Sequence, residues 1–183
     1  LGDVYKRQHI MGTPDVPPAH RTELERSNEV IRRLCILLHV ARGADTEFCI
    51  ENPIDRGNPA EPDTFMAREH GPLWLMPDIL TLQRVVGCLT VSFAQCAFGA
   101  TAQKYTTFLY SPGLHGLLSP LGRRICTHGP GGHARIAGGD QLESGIWSGS
   151  EFAAFPPALN YFLAQTFIKL ALNHNPKTAT LDH

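Results

Sequence analysis

The sequence predicts an α/β fold. Three observations lead there. Two segments carry the three- and four-residue apolar step of an amphipathic helix, short β-rich apolar runs lie between them, and proline or glycine stands where one pattern gives way to the next. At 183 residues the chain is long enough for one domain with a proper core, and 43% hydrophobic residues is the share of an ordinary soluble protein.

The elements follow in order. Residues 18–42 predict a helix, with Leu24, Ile31, Leu34, Leu38 and Ala41 on one face and Arg21, Glu25, Arg32 and Arg42 on the wet side. Prolines fit its first turn and Gly43 its stop. Glu47-Phe48-Cys49-Ile50 suits a short buried strand that Pro53 terminates, leaving Glu51 at its C-terminal edge. Residues 54–72 read as a long loop, and 77–86 as a short helix with proline at its start. Residues 89–93 and 106–110 are β-rich and predict two antiparallel strands. Residues 111–150 hold ten glycines and little periodicity, so irregular loops are expected. Residues 156–172 predict a closing helix with Leu159, Phe162, Leu163, Phe167 and Leu170 aligned, and 173–183 a polar tail.

Composition removes several function classes. A net charge near −1 gives no global attraction to nucleic acid or anionic membrane, so any such contact must be a local patch. No run of 18 apolar residues and no signal peptide occur, which predicts no membrane span. The five cysteines, Cys35, Cys49, Cys88, Cys96 and Cys126, form no CxxC and several sit in apolar runs. Reduced, buried thiols and an intracellular, reducing compartment are the expectation.

Leu1-Gly2-Asp3-Val4-Tyr5-Lys6-Arg7-Gln8 matches the translation of the end of a transposase-based sequencing adaptor, and on that ground is given no functional weight. The alternative is a natural strand around Val4 and Tyr5. With the adaptor reading, residues 9–172 are the C-terminal part of a larger domain.

Glu51 is the first candidate for chemistry. A carboxylate ending a buried strand costs free energy unless it is paired or put to use. A flipped-out base needs such a group along its Watson–Crick edge. The alternative is a turn in which Glu51 caps backbone and Asn52-Pro53 merely stops the strand.

The run Phe48-Cys49-Ile50-Glu51-Asn52-Pro53 resembles the Glu-Asn-Val segment of cytosine-5 DNA methyltransferases, whose glutamate contacts the target base. Phe98-Gly99 and Gln103-Lys104, followed by the second β-rich run, resemble that family's tyrosine-glycine and glutamine-basic segment. The chain is also similar to methyltransferase-like sequences of phages, mobile elements and algae. The shared features are Glu51 to Pro53, Leu73-Trp74, Gln95 to Gly99, Lys104 to Thr106, and Ala153 to Leu159 with one extra residue. The resemblance covers roughly residues 16–163. It implies the second half of a Rossmann-like methyltransferase sheet, with Glu51 as the catalytic candidate and Asn52, Pro53, Gln103 and Lys104 as substrate-binding candidates. It also implies S-adenosylmethionine in the intact parent and none for this part.

Departures are clear. Tyr105 and Thr107 stand where the family has arginines, and Pro53 where it has valine. Neither a Pro-Cys loop nor a glycine-rich loop for S-adenosylmethionine occurs in the chain. Asn52-Pro53 also touches the amino-methyltransferase motif, which Ile54 breaks.

Charge adds a second strand of argument. Between Leu89 and Gly139 there is no acidic residue, while Lys104, Arg123, Arg124 and Arg135 are present, a local basic patch suited to DNA phosphates. The alternative is a solvated loop carrying a few arginines. Cys126, His128 and His133 are zinc-ligand types, with Cys96 available as a fourth, but their spacing matches no standard finger and no metal is assigned. The sequence thus predicts the base-recognition part of a DNA-methyltransferase-like protein. Its rival is a non-enzymatic module of a mobile element that binds nucleic acid or a partner.

Overall fold

The structure, a computed structural model, describes residues 5–58, 60, 68–129, 131–133 and 154–174. Helix α1 (Pro18–Gly43) starts where a proline at the first helical position forfeits only an N–H that would have had no partner. It ends as the Ala44 N–H bonds the carbonyls of Val40 and Ala41 and the chain turns through Asp45 at φ 54°. Strand β1 (Cys49–Pro53) follows, then helix α2 (Pro77–Val86), strand β2 (Leu89–Ala94), strand β3 (Tyr105–Tyr110), the one-turn helix α3 (His115–Leu118) and helix α4 (Pro157–His174). The fold is a mix of helices with a small three-stranded antiparallel sheet in the order β1-β3-β2. No helix among the described residues is long and apolar enough to cross a membrane.

Strand β3 is the middle strand and is buried at all six positions. Its pairing with β1 sets Cys49 against Tyr110 and Glu51 against Phe108. On the other side the Ser92 and Thr107 hydroxyls bond at 2.8 Å, and the Gln95 N–H reaches the Lys104 carbonyl at 2.8 Å, an antiparallel step closing the pair. Since both neighbours run against β3, β1 and β2 are parallel to each other and α2 carries the crossover between them.

Two compact units result, Leu1–Ser92 with Thr106–Ser119 and Phe93–Tyr105 with Pro120–His183. In the first, Cys35, Phe48, Trp74, Met76, Ile79, Leu82 and Leu109 form the core, and α1 packs on α2. Each such side chain contributes about 1.5–3 kcal/mol by leaving water. Trp74 belongs to that core and donates its indole N–H to the Pro53 carbonyl at 2.9 Å. In the second, Phe93, Ala94, Tyr105, Leu121 and Leu159 are buried, with Phe98 edge-on to Phe93 and tilted against Phe162.

Three expectations need correction. The first strand covers 49–53, not 47–50, so Glu51 lies in its middle and Pro53 stays within it. Proline is tolerated because β1 is the outer strand of this sheet, where one side needs no ladder bond. Glu47, expected in the strand, instead precedes it: its carboxylate takes an ion pair from Arg42 at 2.8 Å and a hydrogen bond from the Ser111 hydroxyl. Residues 112–123, read as irregular, are three consecutive helical turns that bury Leu114, Leu118 and Leu121.

Ser111 is fully buried and holds three partners. Its hydroxyl donates to Glu47 and accepts from the Phe48 N–H at 2.9 Å, while its own N–H bonds the Phe48 carbonyl. Ser111→Ala would strand a carboxylate oxygen and a buried N–H. A loss of about 1–3 kcal/mol is expected, read as a lower urea midpoint at unchanged slope.

Residues 5–8 lie against the first unit. Arg7 grips Asp55 through both carboxylate oxygens at 2.7 and 2.9 Å, and the Tyr5 hydroxyl bonds Asn28. Asp55 is 7% exposed and otherwise bonds the Gly57 N–H. Arg7→Ala should therefore cost roughly 1–3 kcal/mol. An unchanged midpoint after removal of residues 1–8 would instead show the segment to be dispensable, as an adaptor remnant would be.

Candidate functional site

The sequence candidates divide between the two units. In the first, Glu51 is half-buried in the middle of β1, and Thr106 donates to its Oε1 at 3.4 Å, a long and weak bond. Consecutive strand residues face opposite sides, so Asn52 points away from Glu51. Asn52 lines a separate cavity of about 420 Å³ with Tyr5, Ile10, Val30, Ile31 and Leu73. Pro53 is exposed and contributes its carbonyl to Trp74. The three residues of the Glu-Asn-Pro run therefore do not line one pocket.

In the second unit, Gln103 and Lys104 are half-buried just before β3. Lys104 lines a cavity of about 270 Å³ together with Gln95, Gly99, Ala102, Phe155 and Pro156. Two stretches far apart in the chain meet there: the continuous segment from Gln95 to Lys104 between β2 and β3, and the residues that lead into α4. Arg123 and Arg124 are exposed, and the Arg124 guanidinium lies 5.6 Å from the centre of the Phe98 ring, within cation–π range. Lys104, Arg123 and Arg124 thus belong to one unit, and Arg135 lies outside the described residues.

The residues to which no metal was assigned are the ones brought closest together. Cys96 sits in a 3₁₀ turn (Gln95–Phe98) directly after β2, and Cys126, His128 and His133 come from the loop after Arg124. Their ligand atoms all lie within 4.8 Å of one another. Cys126 Sγ is 3.7 Å from His128 Nδ1 and 3.4 Å from His133 Nε2, and the two imidazole centres are 4.6 Å apart. Burial pushes the Cys96 thiol up to about 11, and its hydrogen bond with Cys126 adds to the rise.

The described residues do not fit S-adenosylmethionine. No glycine-rich turn joins a strand to a helix among them, and α2 follows β1 only after a long connection.

The other three thiols are free and sit in the first unit. Burial pushes Cys49 up to about 12 and Cys35 and Cys88 up to about 11, from an ordinary value near 9. Between about pH 9 and 12 the unfolded chain sheds thiol protons that the native chain keeps, so stability should fall as pH rises through that window. Native protein at pH 8 should react slowly with a thiol reagent at these three positions and fast once unfolded. Fast native labelling of Cys49 would contradict its burial.

No protein-family model matches the chain, and neither a curated protein nor a solved structure does.

Proposed function

We propose that the chain is the target-base-recognition part of a DNA-methyltransferase-like protein, binding DNA through Lys104, Arg123 and Arg124. What supports this most is the cavity of about 270 Å³, because two stretches that carry the resemblance line it together: Gln95, Gly99 and Lys104 in one, and Ala154 to Pro157 in the other. The opening is small, suited to a single planar ring rather than an extended ligand.

Strand order adds support. A β-α-β crossover with an antiparallel strand slotted between its two strands is compatible with the end of a larger, mostly parallel Rossmann-like sheet. On that view the exposed Val30, Ile36, Leu37 and Val40 of α1 would pack beneath a further layer. Glu51 would hold the base edge. Methyl transfer would need the parent's own cofactor loop and nucleophile, so this part alone should methylate nothing.

One observation favours the rival reading, a nucleic-acid- or partner-binding module without catalysis: Glu51 already accepts a bond from Thr106 within the sheet. DNA binding separates the two. Fluorescence anisotropy against salt should give a negative log–log slope that falls by about 1 for each of Lys104→Ala, Arg123→Ala and Arg124→Ala. Glu51→Gln should leave that slope intact yet remove a preference for duplex bearing an unpaired cytosine over duplex with an abasic position. Binding without base preference in the unaltered chain would leave the rival standing, and salt-independent binding would dismiss phosphate contact by these residues in either reading.

A further inference from the structure

We infer that Cys96, Cys126, His128 and His133 bind one zinc ion, which fastens the loop after Arg124 to the 3₁₀ turn Gln95–Phe98. The donor set is two thiols and two imidazoles, all four atoms within 4.8 Å. Tetrahedral zinc, with Zn–S near 2.3 Å and Zn–N near 2.0–2.1 Å, places sulfur and nitrogen ligands about 3.6 Å apart. The separations found, 3.7 and 3.4 Å, bracket that value. The ligand atoms are Nδ1 of His128 and Nε2 of His133, so each ring keeps its proton on the other nitrogen.

Charge balances as well. Zinc displaces one proton from each thiol to solvent, and two thiolates with two neutral imidazoles then cancel its double charge. A tetrahedral set of two sulfurs and two nitrogens selects zinc over magnesium or calcium. All four positions are supplied by protein, leaving none for water or substrate, so the ion is structural.

The loop itself shows why an ion is wanted. Residues 124–129 and 131–133 form no helix or strand, and Ile125, the large apolar side chain among them, is 51% exposed. Such a segment buries too little apolar surface to offset the entropy of ordering it. Its start is anchored: the Ala94 N–H bonds the Arg124 carbonyl at 2.7 Å, and the Cys126 N–H bonds the Tyr105 hydroxyl at 3.0 Å. Beyond that, the Gly132 N–H closes a turn on the Gly129 carbonyl and Gly131 adopts φ +79°, a conformation glycine takes without strain. That turn returns His133 to His128 and Cys126. The backbone is thus shaped to gather ligands, with no core of its own to hold it.

The test uses the untagged full chain. Elemental analysis should find about one zinc per chain, as one ligand set implies. Metal-free protein titrated with cobalt(II) should develop the visible bands of a tetrahedral site with thiolate charge transfer, and zinc should displace them. Cys126→Ser should abolish both signals, and Cys49→Ser, in the first unit, should leave them unchanged. His128 is exposed, so His128→Gln removes a ligand without disturbing packing and decides the matter if Cys126→Ser fails to fold. Its cobalt affinity should drop by at least the roughly 10–100-fold that losing a mere supporting partner costs. Protein that purifies without zinc and takes up no cobalt overturns the assignment, as does undiminished affinity in His128→Gln.

Discussion

A strand that cannot face water organises this chain. All six residues of β3 are buried, so both of its edges must be paired and both of its faces covered. Pairing with β1 fixes a register in which a slip of one residue would turn Glu51 and Asn52 to each other's faces. Immediately past its end, Ser111 locks the register by bonding Glu47 and Phe48, the two residues ahead of β1. The carboxylate of Glu47 is tolerable in that setting because Arg42, from the last turn of α1, neutralises it. Gly113 leaves room for that carboxylate: a Cβ there would meet it, and Glu47 would have to shift from its partners.

Elements whose signal is local were legible in the sequence. Both long helices, α2 with its leading proline and trailing Gly87 at φ 74°, and the two β-rich runs fall within a residue or two of their expected bounds. The first strand was displaced because Glu47-Phe48-Cys49-Ile50 is more apolar than Cys49 to Pro53, and proline argues against a ladder. What decided its start was non-local: Phe48 stays bonded to Ser111 in the same register, while the Glu47 carboxylate turns to Arg42 and the Ser111 hydroxyl. The turns over 112–123 were hidden by two prolines and three glycines. A signal was nonetheless present in Leu114, Leu118 and Leu121, which recur at four and three residues and are all buried.

The candidate site was legible in its residue types and not in its grouping. Glu51, Asn52 and Pro53 are adjacent in sequence, and period-two alternation separates them in space. Cys96 and Cys126 are far apart in sequence, and the β2 and β3 pair brings them within bonding reach. Motif spacing detects ligands only when a single hairpin or helix presents them all. Here one ligand rides on a turn after β2 and three on a glycine-rich loop, so no spacing rule applies.

The cavity and the zinc cluster share the turn Gln95–Phe98: Gln95 faces the cavity, and Cys96 the ligand set. Gln95 is 1% exposed, and its N–H is bonded to the Lys104 carbonyl. A short 3₁₀ turn has poor hydrogen-bond geometry and little stability of its own, so what holds Cys96 also holds the wall of the cavity. Phe98, in the same turn, packs on Phe93 and Phe162 and carries the Arg124 guanidinium across its face. A zinc ion held there would therefore act on Arg124 and Gln95 by way of packing alone. That coupling depends on one turn and its neighbours, not on a cofactor.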